Sequence, residues 1–151
     1  MKRLKLIVLG FLPVAFVSCA STIDRQEIPS IVINAVMTKY PDARELEWEW
    51  KNGVYEAEFE LGKQDVEVWV DEKGTILKVE QEIRNTEIPA VILSDIKTAY
   101  KDYKPDDAKR IEIGKAVYYE IELDGIFGDQ TVVYSASGKK QDPAILTKIG
   151  N

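Results

Sequence analysis

A chain with 26 aspartates and glutamates but no histidine has little conventional catalytic chemistry open to it. The imidazole is the commonest general base and a frequent metal ligand, and here it is missing. Ser94, Ser135 and Ser137 have no histidine to activate them, so only a lysine could serve as their base. Paired carboxylates abound, but a general acid needs a carboxyl whose pKa is raised by burial. These carboxylates alternate with apolar residues, the pattern of a water-facing surface. No Gly-rich phosphate loop precedes a helix. The single cysteine, Cys19, can neither close an intramolecular disulfide nor build a zinc cage. A net charge of −6 opposes nucleic acid binding, which needs a basic face. These residues point away from an enzyme, a cofactor or a metal protein and toward a binding or structural module.

Three groups could carry recognition. Residues 42–72 hold eleven carboxylates against three cations, a local charge of −8. Glu56, Glu58 and Glu67 belong to this group, and Glu120 and Glu122 occupy equivalent places further on. Such a face suits a cationic partner by complementary potential, or it is a solvated face that blocks edge-to-edge pairing. Calcium fits it poorly, because a strand ladder lacks the wrapped loop that supplies six to eight oxygens. Trp69 is placed by alternation from Val66, Val68 and Val70 on the same wet side, and tryptophan is enriched in interface hot spots. Tyr118 is expected to share that face. The alternative is that a tether, loop or sheet partner covers these aromatics. Finally, Asp124-Gly-Ile-Phe-Gly-Asp129 sets Ile126 and Phe127 between glycines at a hairpin tip, either projecting toward a partner or folded back on the core.

The elements that must position these residues come from an internal repeat. Residues 27–40 align with 87–100 at an offset of 60, with five of 14 positions identical. Residues 55–60 and 65–74 align with 119–124 and 129–138 at an offset of 64. The extra four residues are expected in the loop Lys101–Pro105. Each copy opens with a helix, marked by Ile28, Val32, Val36 and Tyr40 or Ile88, Ile92, Ile96 and Tyr100, with Pro29 or Pro89 in its first turn. The period then drops to two, as in antiparallel strands with one dry and one wet face. Asp71–Gly74 and Ser135–Gly138 read as hairpin turns. Strands are expected at Thr75–Glu82 and, less distinctly, at Lys139–Asp142. The expected fold is α+β, with two tandem helix-plus-antiparallel-strand repeats joined in one curved antiparallel sheet and both helices on one face. Because a unit of roughly 60 residues is marginal alone, the copies are expected to join in one sheet with both helices covering its apolar face.

The first residues are a separate matter. Met1–Lys5 is basic, Leu6–Val17 is apolar but too short to span a bilayer as a helix, and small residues follow. Phe16-Val-Ser-Cys19 resembles a bacterial lipobox, although Phe16 replaces the usual leucine. Cleavage before Cys19 and its lipidation are expected, with ordinary cleavage nearby as the alternative. The expected organisation is a signal peptide at 1–18, lipidated Cys19 and tether at 19–26, repeats at 27–84 and 85–142, and a tail at 143–151. Cleavage would remove three cations and leave a charge of −9.

Taken with the helix that follows Ile28-Pro29, the motifs Lys39-Tyr-Pro-Asp-Ala43, Tyr55-Glu-Ala-Glu-Phe59 and Val68-Trp-Val-Asp-Glu-Lys-Gly74 resemble the β-lactamase-inhibitor-like, PepSY-like periplasmic proteins of Bacteroidetes. The second copy departs from the pattern at Lys101 and at Val133-Tyr134. The resemblance implies tandem α+β units in a curved sheet, export, and inhibitory or protein-binding roles. It does not imply lactamase inhibition, since the inhibitors that name the fold carry disulfides. The function expected is a lipid-anchored, non-catalytic binding module on the periplasmic side of the outer membrane, holding an envelope protein or peptide. The alternative is a structural or calcium-buffering envelope lipoprotein without a specific partner.

Overall fold

The computed structural model describes residues 21–126 and 128–147, so Cys19, the signal segment and Phe127 lie outside it. Nine strands among the described residues form one antiparallel sheet in simple chain order. They are β1 (Ser21–Thr22), β2 (Glu47–Lys51), β3 (Val54–Leu61), β4 (Gln64–Asp71), β5 (Ile76–Glu82), β6 (Tyr103–Ile113), β7 (Ala116–Gly125), β8 (Gln130–Ser135) and β9 (Lys140–Gln141). Helix α1 (Ser30–Lys39) follows β1, and α2 (Ala90–Ala99) follows β5.

Local chemistry sets the helix ends identically in both copies. Pro29 and Pro89 are the N-caps rather than first-turn residues. Their carbonyls accept the amides of Val32 and Ile92, both at 2.9 Å. A proline there sacrifices no amide. The buried helix positions are Val32 and Val36 in α1 and Ile92 and Ile96 in α2, the stripe expected from the spacing.

Directly opposed residues in an antiparallel ladder share a face. The register runs Val66–Gln81–Arg110–Tyr119–Tyr134 from β4 to β8. Val66 packs in the cluster under α1 and Tyr134 in the cluster under α2, so both helices cover one face. That face nevertheless holds two apolar cores instead of one. Between them Lys39 and Arg110 both bond Glu112, at 2.6 and 2.5 Å, and Gln81 bonds Gln64 at 3.3 Å. Burial raises the Glu112 carboxyl pKa, but Lys39 and Arg110 outweigh it and hold the group below its ordinary value. The two cores stay separate because the positions between the helices are polar. The repeats are joined by the β5–β6 ladder and this ionic seam.

The extra four residues of the second copy also lie elsewhere than expected. Trp48 faces Ala57 and Ala108 faces Ile121, so the offset of 60 persists past Lys101–Pro105 and into β6. The insertion is in the β6–β7 hairpin, which is two residues longer on each strand. The added length lets β6 reach along β5 as far as Lys78, opposite Ile113.

The segment after β9 packs on the sheet as far as Leu146. Asp142 caps a short 3-10 turn at Pro143–Ile145 by accepting the Ala144 amide at 2.9 Å. Leu146 then packs on Ile111 and Val133, both fully buried, with Ile113, Tyr118 and Ile145 around them. Ile111 faces Glu80 and Tyr118 across the ladder, which places this third cluster on the sheet face opposite the helices. The outer face is therefore wet over the first repeat and partly covered over the second.

One pair of positions changes character between copies. Tyr134 is fully buried and donates to Asp95 at 2.7 Å, where the aligned first-copy residues are Val70 and Ala35. Burial and the Asp95 carboxylate push the Tyr134 phenol pKa far up.

Candidate binding face

The outer face of the first repeat is built by register. Glu47, Glu58, Glu67 and Glu80 form one row across β2–β5, and Glu49, Glu56, Trp69 and Lys78 form the next. Adjacent like charges on a ladder are unfavourable by tenths of a kcal/mol per pair. Two lysines from later strands relieve them. Lys109 reaches Glu80 at 3.3 Å and Glu67 at 3.8 Å, and Lys78 bonds Glu80 at 2.5 Å.

Trp69 is half-buried, and its indole N–H donates to Glu56 at 3.0 Å. The Lys78 ammonium lies 4.6 Å from the ring centroid. The tryptophan is thus held edge-on by a carboxylate and capped by a cation. A cation over an indole ring is attracted by the ring quadrupole, by roughly 0.5–1 kcal/mol at exposed sites.

Electrostatics on this face are strained. Desolvation raises the carboxyls of Glu56, Glu67 and Glu120 above their ordinary values. Glu49 adds to this for Glu56, and Glu80 for Glu67 and Glu120. The Trp69 hydrogen bond and Lys109 oppose it without cancelling it. Burial alone would lower Lys109, yet Glu80 and Glu67 hold its ammonium above the usual value.

A raised carboxyl means the folded protein binds a proton that the unfolded chain releases. Such a group destabilises the fold above its folded-state pKa, and the penalty is relieved as pH falls toward the ordinary carboxylate range. Glu120→Gln is therefore expected to raise the unfolding free energy at pH 7, by about a few tenths of a kcal/mol for a half-exposed group. The difference from the parent protein should shrink as pH falls and vanish below about 4.5. Urea titrations at pH 7 and pH 4 check this, and a gain that grows in acid would contradict it.

The other expected residues scatter. Glu58 and Glu122 are exposed, and Ile126 at the β7–β8 tip is 83% exposed. Tyr118 lies on the expected face but is half-buried in the cluster beneath Leu146, so part of its surface is already taken. Glu120 and Glu122 border a hollow of about 170 Å³ with Glu82, Asp107, Lys109 and Thr131. The acidic face around Trp69 and the Ile126 tip are separate features, on β3–β5 and at the end of β7. Lys78, Glu80 and Lys109 went unnoticed in the sequence. Lys78 and Glu80 were detectable by carrying the alternation of β4 through the Asp71–Gly74 turn.

Comparisons with known proteins bear on what this scaffold is. The family described as "Putative beta-lactamase-inhibitor-like, PepSY-like" matches the chain twice, over residues 17–78 and 53–141. The chain belongs to this PepSY-like family. No curated protein matches it. Solved structures similar to this PepSY-like chain include a DUF2874 family protein of Bacteroides uniformis, 17% identical with a TM-score of 0.67 over 76% of this chain and 86% of that one. A protein of Bacteroides eggerthii, described among "putative periplasmic proteins", is 16% identical with a TM-score of 0.67 over 76% and 86%. A BLIP-like protein of Bacteroides fragilis is 20% identical with a TM-score of 0.62 over 82% and 87%. At these identities the likeness establishes the fold, an α+β arrangement of two helices on an open antiparallel sheet.

Proposed function

We propose that this PepSY-like chain is an exported, lipid-anchored and non-catalytic binding module of the cell envelope. It holds a protein or peptide and restrains an envelope hydrolase or peptidase. The binding surface is the acidic sheet face around Glu56, Glu58, Glu67 and Trp69, with the Ile126 tip as a second contact. Lipidation at Cys19 would keep the module at the periplasmic side of the outer membrane. One observation carries this reading: Trp69 on the acidic face already accommodates a cation, Lys78, over its ring while Glu56 holds its edge. A partner's lysine or arginine can use the same indole and the carboxylates beside it, by complementary potential. The inhibitor-like family and the periplasmic description of one neighbour support the same reading.

The test is affinity capture from the organism's own envelope with the parent protein, Trp69→Ala and Ile126→Asp. A partner held by the parent should bind Trp69→Ala at least about tenfold more weakly, the scale of a modest hot spot. Recovery of the same partners at the same strength by both variants would remove the acidic face and tip from the mechanism.

A further inference from the structure

We propose that the end of β3 in the first repeat is a strand-addition site for an extended peptide segment bearing lysine or arginine. The two copies differ at this edge. In the second repeat Tyr103, Lys104 and Pro105 pair with Gly125, Asp124 and Leu123, so β6 lines this edge of β7 to its last residue, and Leu123 also pairs with Gln130 on the other side. The aligned first-copy residues are Ala43, Arg44 and Glu45. Among the described residues they form no ladder with Leu61, Glu60 and Phe59, and β2 begins its pairing only at Glu47 opposite Glu58.

Two local features hold this edge open. Glu45 has φ of 54° outside any hairpin turn, a left-handed conformation that costs a non-glycine residue energy. The Arg44 guanidinium donates to the carbonyls of Ala43 and Pro41, at 2.9 and 3.2 Å, folding back on its own turn. The result is a hollow of about 540 Å³ bordered by Arg44 and by the carboxylates Glu45, Glu47, Glu58, Glu60 and Asp65. None of these five takes part in a salt bridge among the described residues.

An unpaired strand edge is a template for another strand, with main-chain bonds giving affinity and side-chain pockets giving selectivity. The second copy indicates what fits here, since it places a lysine, Lys104, directly opposite Asp124, the counterpart of Glu60. In the first copy the counterpart of Lys104 is Arg44, whose guanidinium is held by its own turn, so the five carboxylates call for the same chemistry from outside. The occupant is thus an extended segment that bonds the free edge of Phe59–Leu61 and sets a basic side chain between Glu60 and Asp65. This extends the proposal of an acidic binding face but does not use Trp69.

The probe is the peptide acetyl-Val-Lys-Val-Lys-Val-amide, titrated into the full protein and followed by amide NMR shifts and hydrogen exchange. The proposal expects shifts and slowed exchange at Phe59–Leu61. It expects binding weakened about threefold or more in Glu60→Gln/Asp65→Asn, and abolished when the peptide is N-methylated at alternate residues. Trp69→Ala should leave this binding unchanged. The proposal is overturned if shifts at Phe59–Leu61 are absent at millimolar peptide. It is equally overturned if binding survives N-methylation while Trp69→Ala removes it, an outcome that would leave the acidic-face reading standing.

Discussion

Replacing Leu146 by alanine is expected to lower the unfolding free energy by about 2–3 kcal/mol, the lower part of the range for a buried leucine. Leu146 is 6% exposed and sits over Ile111 and Val133, which are fully buried. With Ile145 it covers that side of β6–β8, and both sit on a short 3-10 turn held by the Asp142 cap. Removing the side chain loses its transfer energy and opens the sheet face beneath it to water. Ending the chain at Asp142 should cost more, because Ile145 goes as well. Leu146→Met conserves volume and should cost less than about 1.5 kcal/mol. Denaturant melts give these differences, and amide exchange should quicken first in β6 and β8. A Leu146→Ala change within 0.5 kcal/mol of the parent protein would mean that the segment does not stabilise the sheet.

That segment also marks where the sequence stops being legible. The strands of the first repeat can be read directly, because Glu56, Glu58 and Glu60 alternate with Ala57, Phe59 and Leu61 and only one register buries the apolar set. The helices can be read from their four-residue stripe. The same parity puts Trp69 on the wet side, where it lies between Glu56 and Lys78. Parity says nothing about which atoms lie next to it, and its cation comes from β5 across a turn. The C-terminal cover escaped notice because Pro143–Leu146 is too short to show a period. A signal did exist: Ile111 and Val133 fall on the wet-side register, where apolar residues need a reason to be buried. The insertion was misplaced for a related cause. Lys101-Asp-Tyr-Lys-Pro105 has loop composition, yet Tyr103–Pro105 pair with β7, so composition pointed to a break where the ladder continues. That the two copies join in one sheet follows from their small size. Size cannot reveal that Gln81, Arg110 and Glu112 occupy the helix-side positions of the junction, although the alternation of β5 and β6 places them there.

The repeat also supplies a matched pair of substitutions at the turns that meet the helices. Gly74 and Gly138 have φ of 80° and 81°, and each lies against the second residue of its helix, Ile31 or Val91. An alanine at either position takes the same left-handed strain, about 1–3 kcal/mol. The contacts differ. A Cβ at Gly74 would lie 2.9 Å from the Ile31 carbonyl oxygen, which is fixed by the helix, and also 2.9 Å from Ile31 Cγ1. At Gly138 it would meet only the methyls of Val91, at 2.7 and 3.0 Å, on a side chain that is 51% exposed. A surface side chain can yield, though a β-branched one in a helix does so reluctantly. Gly74→Ala is therefore expected to cost about 2–3 kcal/mol and Gly138→Ala about 1–2 kcal/mol, measured by denaturation of the two variants side by side. Equal losses would mean that φ strain sets both and that the approach to Ile31 is relieved by a small shift of α1. A larger loss at Gly138 would mean that the packing of Val91 on its turn holds α2 in place more firmly than the backbone approach holds α1.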